Sequence, residues 1–358
     1  MNITLEMLKE DQADEYEQLL RSVDTSLLYA SFKYRSFLQR VLLNSEPLYL
    51  VAREGGHLVG ALPGFIRYNA TYGNILNSLP FYGSNGGVIL SSSAKAGQIV
   101  KDVLLQAFHE LANQKKAVVS TLITSPLEEK VDSYETHFNP VLRDERIGQF
   151  TPLPRNWDGE EDLGEKLMNL FHQKTRNSIR KAQKSHLVIS HSNSLVALQK
   201  LADLHRQNIE AMGGLSKPWP VFEAIRNSFA YDLDYRVYLA EKEGEMIAAL
   251  LVFFYNRSAE YFTPAVHEEH RILQPMSLLV FEAMQEAARR GCFFWNWGGT
   301  WLTQDGVYRF KSRWGTENRR YFYYIREYVK PCPLRALSPQ EILAQYPYFY
   351  VLPFKVLG

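Results

Sequence analysis

Residues 50–62 read LVAREGGHLVGAL and residues 238–250 read YLAEKEGEMIAAL, and the two superpose without an insertion. Ala52 falls on Ala240, Gly56 on Gly244, Ala61 on Ala249 and Leu62 on Leu250. Each copy is two apolar runs flanking a charged turn with glycine, the pattern of a β-hairpin. The flanks repeat as well. Before the first hairpin stand a strand-like NITLEML and helical patterns in DQADEYEQLLRSV and YRSFLQRVLL; before the second stand LVISHS, LVALQKLADLHRQNIEAM and PVFEAIRNSF. After each hairpin come a third strand region (NILNSLPF; AEYFTPAV), a helix (about 94–114; about 276–290) and an apolar strand (AVVSTLIT; CFFWNWG). The chain therefore reads as one mixed α/β unit used twice. The expected organisation is a first unit over 1–150, a linker and basic connecting helix over 151–186, a second unit over 187–330 and an aromatic tail over 331–358.

A length of 358 residues suits two cores better than one. With 40 Lys and Arg against 39 Asp and Glu, the formal net charge is +1, so no global field draws the protein onto nucleic acid or anionic lipid. Any polyanion site must be local. The acidic start MNITLEMLKEDQADE lacks the pattern of a secretory signal, and the longest apolar run, Met246 to Tyr255, is too short to span a bilayer. These features lead to the expectation of a soluble, cytoplasmic protein. Cys292 and Cys332 have no CxxC or Cys/His spacing and read as reduced, non-catalytic thiols. His267-Glu268-Glu269-His270 is not HExxH and has no third ligand in sequence, so no metal is expected.

The connecting segment has its own pattern. TPLPRNWDG is punctuated like a linker, and EEDLGEKLMNLFHQKTRNSIRKAQK then predicts a single helix with Leu163, Leu167, Leu170 and Phe171 on one face. Within it Lys174, Arg176, Arg180, Lys181 and Lys184 crowd together with no carboxylate among them. One reading is a solvated helix end whose cations match the helix dipole. The other is an anion grip: Arg176, Arg180 and Lys184 follow at i, i+4 intervals, about 6 Å apart, with Asn177 and Lys181 on the adjoining strip. Guanidinium groups on such a ladder can hold a diphosphate bidentately.

Four stretches carry a family resemblance: SLPFYGSNGG from Ser78, KTRNSIRKAQKS from Lys174, QPMSLLVFEAMQEAARRG from Gln274, and NWGGT followed by GVYRFKSRWG from Gly306. Their order on a duplicated β-α-α-β-β-β-α-β unit resembles the Gcn5-related N-acetyltransferase (GNAT) superfamily, and the duplication resembles the Fem family of non-ribosomal peptidyltransferases. The resemblance implies two tandem GNAT-like subdomains of α/β class with mixed sheets. It implies an acyltransferase that moves an acyl or aminoacyl group onto an amine of a cell-envelope precursor of peptidoglycan or polysaccharide type, without coenzyme A. Aminoacyl-tRNA is then the implied donor and a phosphorylated envelope precursor the acceptor, held between or along the two copies.

On that likeness the face of Lys174, Arg176, Asn177, Arg180, Lys181 and Lys184 binds the acceptor's diphosphate, with Arg309 as a further substrate-binding cation. Lys311, between Phe310 and Trp314, is expected to point its ammonium into the cleft and stabilise charge developing at the acyl carbonyl. Tyr308 and Asp305 adjoin it, Asp305 as a base for the incoming ammonium. One rival is a coenzyme A-dependent acyltransferase; against it, RILQPMS opens its helix with Pro275 and no glycine, while SSSAKAGQIVKD from Ser91 is the alternative phosphate cradle. A non-enzymatic rival is an RNA-binding protein using the basic helix; balanced charge and the absence of aromatics between the cations argue against it. The tail AQYPYFYVLPFKVLG reads either as a peripheral membrane or partner patch or as a segment packed back on its own unit.

Overall fold

The computed structural model describes residues 3–81, 85–302 and 304–357, so residues 82–84 of the SLPFYGSNGG stretch lie outside the described residues. Contacts along the chain divide it into one unit of residues 1–147 with 320–358 and another of residues 148–319.

The first unit runs β1 (Ile3–Met7), α1 (Ala13–Arg21), α2 (Phe32–Val41), β2 (Ser45–Pro47), β3 (Leu50–Glu54), β4 (His57–Leu62), β5 (Phe65–Arg67), β6 (Asn74–Asn77), β7 (Ile89–Leu90), α3 (Gly97–Gln114) and β8 (Ala117–Ile123). Strands β1, β3, β4 and β7 lie side by side in that order, as do β8, β6, β5 and β2. A long strand, β9 (Leu142–Pro152), leads into the second unit. There follow α4 (Gly159–Leu170), α5 (Gln173–Gln183), β10 (Val188–His191), α6 (Leu195–Glu210), α7 (Trp219–Ser228), β11 (Tyr235–Lys242), β12 (Glu245–Tyr255), β13 (Ser258–Val266), α8 (Pro275–Arg289), β14 (Phe294–Trp301) and α9 (Asp305–Ser312). Strand β15 (Glu317–Glu327) returns the chain to the first unit, which ends with α10 (Pro339–Gln345).

The duplication read from the two hairpins is present down to the register. Leu50 pairs with Leu62, Ala52 with Gly60, and the ladder then slips between Ala52 and Arg53 so that Arg53 faces Leu58. In the second copy Tyr238 pairs with Leu250, Ala240 with Ala248, and the slip falls between Ala240 and Glu241, so that Glu241 faces Met246. A one-residue slip moves every later side chain to the opposite face, so a bulge at the same aligned position puts equivalent residues on equivalent faces. Behind each hairpin a long helix closes a core: α3 through Val100, Leu104 and Phe108 in the first unit, α8 through Leu279, Ala283 and Met284 in the second. Each of these Val, Leu, Phe and Met side chains contributes about 1.5–3 kcal/mol by its burial.

Three expectations about the chain's organisation are corrected. The segment 151–186 is part of the second unit, because Leu163, Leu167, Phe171, Ile179 and Ala182 all enter that unit's core. Its predicted single helix is two, α4 and α5, broken at Phe171 and His172, which are extended. Docking of the Phe171 ring on Trp314, at 5.0 Å between centroids, outweighs the local preference to continue the helix, and Leu170 is left partly exposed. A ring held from another part of the chain is invisible to helical periodicity. Lastly, the aromatic tail is no separate region but part of the first unit, where Tyr346 donates to the Gly73 carbonyl at 2.7 Å and Tyr350 to Asp144 at 2.8 Å. A capping box of Ser338 and Glu341 starts α10 there. Among the described residues no helix is long and apolar enough to cross a membrane.

Candidate active site

Two of the stretches singled out in the sequence meet in the second unit. The amide of His172 donates to the Arg313 carbonyl at 2.8 Å, and the Thr175 hydroxyl donates to the same oxygen at 3.1 Å. Gly315 makes the approach possible. Its φ is +70°, and a Cβ there would stand 2.5 Å from the Leu170 carbonyl oxygen. Thus the end of RFKSRWG clamps the α4–α5 turn and fixes the start of the basic helix, whose N-cap is the His172 ring accepting from the Lys174 amide.

The cations divide by partner. Arg176 is half-buried and donates to the Phe171 carbonyl at 2.9 Å and to Gln173, so it is part of the α4–α5 turn. Asn177 accepts from Gln173. Lys174, Arg180, Lys181 and Lys184 are exposed, and no carboxylate pairs with them among the described residues. Arg176 and Arg180 line a groove of about 720 Å³ whose other walls come from α4 and α8 and include Glu160, Glu161 and Glu165. Of these carboxylates, Glu160 is engaged by Arg289. Asn177, Lys181 and Lys184 are not among the groove's lining residues, and neither is any residue of α9. The cationic face and Lys311 are thus neighbours through the α4–α5 turn without sharing this hollow.

Lys311 is turned inward, which corrects the expectation that its ammonium enters a cleft. It is 6% exposed, and its Nζ donates to the carbonyls of Gly298 at 3.4 Å and Gly299 at 3.0 Å and to the Thr300 hydroxyl at 3.0 Å. Three donors meet three acceptors, so the ammonium pins the end of β14. Burial lowers its pKa to about 8. Trp314 is buried against Trp297 at 5.4 Å, whereas Phe310 is 40% exposed. Asp305 is the exposed first residue of α9, Arg309 is exposed and donates to the Asp305 backbone oxygen, and the Tyr308 hydroxyl accepts from Asn318. None of the three meets the Lys311 ammonium.

Around Lys311 lies a polar network not anticipated from sequence. Thr300 donates to Gln149 Oε1 at 3.1 Å, Gln149 donates to Thr316 and to the Tyr308 carbonyl, and Thr151 links Trp297 Nε1 to the Trp314 carbonyl. On the other side of β14, buried Glu260 accepts from Ser258 and Asn296, and the Asn296 side chain accepts from the Gly298 amide, where φ is +71°. An asparagine and two glycines inside the apolar run FFWNWGG were the signal that this strand end is shaped by polar contacts rather than by continued pairing.

Strands β13 and β14 are parallel and pair over three positions, Ser258–Phe294, Ala259–Trp295 and Glu260–Asn296. Further along β13, side chains of α6 and the loop after it take the free backbone groups. Asn208 both donates to the Val266 carbonyl (2.9 Å) and accepts from its amide (2.8 Å), and Lys217 donates to the Phe262 carbonyl at 3.4 Å while lying over its ring. His205 accepts from the Lys217 amide, and its burial beside that lysine lowers its pKa to about 4. The pKa of Lys217 falls to about 8 on desolvation. At the start of α8 the N-cap Gln274 makes no side-chain cap and Pro275 occupies the first turn, as the sequence indicated. At α3, the Lys95 amide near the helix start already donates to the Glu54 carboxylate. Among the described residues no three His, Cys, Asp or Glu side chains are grouped to hold a metal.

A family model described as an acetyltransferase (GNAT) domain matches residues 170–312, the stretch that contains α5, the β13–β14 pair and Lys311. That match lies within the second unit. Across the whole chain the fold is similar to that of FemX, with 15% identity, 90% of this chain and 97% of that chain covered and a TM-score of 0.69. It is also similar to a tandem GNAT protein from the clavulanic acid biosynthesis pathway (11% identity, 91% and 98% covered, TM-score 0.53). A third likeness is to the C-terminal domain of a putative lysylphosphatidylglycerol synthetase from Agrobacterium fabrum (11% identity, 93% and 96% covered, TM-score 0.55). Comparison with curated protein sequences finds no match. The duplicated hairpin, the GNAT domain and these tandem folds agree: the chain is a tandem GNAT-like α/β protein of acyltransferase type.

Proposed function

We propose that the protein transfers an acyl or aminoacyl group to an amine on a phosphorylated cell-envelope precursor, of peptidoglycan or polysaccharide type, with the exposed face of α5 holding the phosphate. The observation that carries this reading is the set of unpaired cations, Lys174, Arg180, Lys181 and Lys184, in a chain whose formal net charge is only +1. The helix dipole accounts for Arg180, Lys181 and Lys184 at the end of α5 but not for Lys174 in its first turn. The similar folds of FemX and of the C-terminal domain of a putative lysylphosphatidylglycerol synthetase are consistent with aminoacyl transfer. Lys311 acts in this scheme through the strand it holds, keeping the backbone of Gly298 to Thr300 in place beside the reacting carbonyl. Asp305, Tyr308 and Arg309, on the exposed side of α9, remain the groups on offer to the incoming amine and its carrier.

Coenzyme A fits poorly along β13. Its pantetheine is an extended, amide-bearing arm that would need free strand-edge groups, and Asn208 and Lys217 already hold those of Val266 and Phe262. Pro275 likewise removes an amide from the helix start where a pyrophosphate would sit. Aminoacyl-tRNA is therefore the favoured donor.

The test is direct: the protein is incubated with aminoacyl-tRNA or with acyl thioesters against a panel of amine-bearing envelope precursors, and products are read by mass spectrometry. Acyl transfer from tRNA that weakens in Arg180→Ala/Lys184→Ala supports the reading. Turnover with acetyl-coenzyme A alone, unaffected by that variant, overturns it.

A further inference from the structure

The first unit contains a cavity of about 190 Å³ that the acyl-transfer reading does not use. Its walls come from the turn after α1 (Val23, Ser26, Leu27), from the Asn85 to Leu90 segment ahead of and within β7, and from the loop after β8 (Ser125, Glu128). At roughly 30 Å³ per water-sized group, it has room for about six heavy atoms. Among the described lining residues Glu128 is the one ionisable side chain, and the rest are glycine, aliphatic, hydroxyl or amide.

That carboxylate is held rigidly from behind. Lys101 Nζ donates to Oε1 at 2.6 Å and also to the Lys130 carbonyl, and the Tyr134 hydroxyl donates to Oε2 at 2.7 Å. Tyr134 is itself fixed by accepting from the Val88 amide at 2.8 Å. Lys101 and Tyr134 are buried and do not line the cavity. A carboxylate offers about four acceptor positions, so two donors from behind leave others directed away from them. Gly87 keeps the space open at this point. A Cβ there would stand 2.8 Å from the Tyr134 hydroxyl and 3.1 Å from Glu128 Oε2. A second wall group is also unsatisfied: the Ser26 hydroxyl, on a residue 5% exposed, has no hydrogen-bond partner. Buried hydroxyls without partners are uncommon enough to call for one.

We propose that this cavity binds a primary ammonium group on a short apolar stem, with the Glu128 carboxylate as the acceptor of the ammonium and the Ser26 hydroxyl as a second polar contact. The ammonium donates to Glu128, and the stem lies against Val23, Leu27, Val88 and Leu90. Anions are disfavoured because the single charge they meet is negative. The ligand class is that of the amine acceptor in the proposed reaction, but the inference rests on the first unit alone and is tested without turnover.

The probe is 1-aminobutane, compared with 1-butanol and butyrate, titrated into the full-length protein at pH 7 by calorimetry. The expected order is amine tighter than alcohol by at least tenfold, with butyrate not binding. Glu128→Gln should remove the preference for the amine. Because that change leaves Lys101 buried without its partner, the double variant Lys101→Met/Glu128→Gln is measured beside it. Ala30 also lines the cavity, and Ala30→Leu, which fills it from that side, should abolish binding of amine and alcohol alike. Equal binding of amine and alcohol by the unaltered protein, or an amine preference that survives in the folded double variant, overturns the proposal. Neither result bears on whether the second unit transfers acyl groups.

Discussion

Replacing Lys311 by Met separates a lysine that pins a strand from a lysine on the surface, and the structure gives the size of the effect. Burial lowers the Lys311 pKa from 10.5 to about 8. Between those values the unfolded chain binds more protons than the folded one, so stability conferred at this site rises with pH, and the burden of the buried charge is greatest below pH 8. Integrating between pH 7 and pH 9.5 gives about 2 kcal/mol of stability that the native lysine gains and the Lys311→Met variant does not. For a unit of this size that corresponds to about 4–8 °C in melting temperature. At pH 7 the variant also leaves the Gly298 and Gly299 carbonyls and the Thr300 hydroxyl without their donor, which costs on the order of 2 kcal/mol net. The assay is thermal unfolding by circular dichroism of both proteins at pH 7, 8 and 9.5. The separation between the two melting curves should widen with pH. Curves that stay parallel across this range would refute the inward placement of the ammonium and the reasoning built on it.

Arg180→Ala should leave stability within about 0.5 kcal/mol, because its side chain is exposed and unpaired, while weakening binding of a diphosphate-bearing acceptor in calorimetry. By contrast Arg176→Ala should cost about 1–2 kcal/mol in denaturant unfolding, since the Phe171 carbonyl loses its donor. Gly315→Ala forces a side chain into a left-handed conformation against the Leu170 carbonyl and should destabilise by about 3 kcal/mol or more in the same measurement. Cys292 and Cys332 are buried and burial raises both thiols, Cys292 to about 12, so a disulfide reagent at pH 8 should label neither in the native protein and both after denaturation.

How far the sequence could be read depended on the range of the forces involved. The hairpins at Leu50 and Tyr238 were legible because alternation and a glycine turn are local properties, whereas their shared bulge became visible only in the strand register. The cationic composition of α5 was legible for the same reason. Whether those cations were paired was not, since pairing depends on which helices pack beside α5. Lys311 shows the limit most clearly. Flanking aromatics suggested an ammonium pointing into a cleft, yet its direction is set by acceptors at Gly298, Gly299 and Thr300, on a strand preceding its own helix. Glu128 gave no sequence signal beyond Gly87, whose role as space for a carboxylate appears once Tyr134 and Lys101 are in place.

By itself the sequence determined the doubled unit, the mixed α/β class and the location of the cationic cluster, because periodicity, turn chemistry and composition are written in neighbouring residues. Tertiary structure alone decided where the long connecting helix breaks, which cations are tied down, and which carboxylate faces a cavity. Those outcomes depend on contacts between residues far apart in the chain, such as Phe171 with Trp314 and Glu128 with Lys101, where packing and desolvation outweigh local preference.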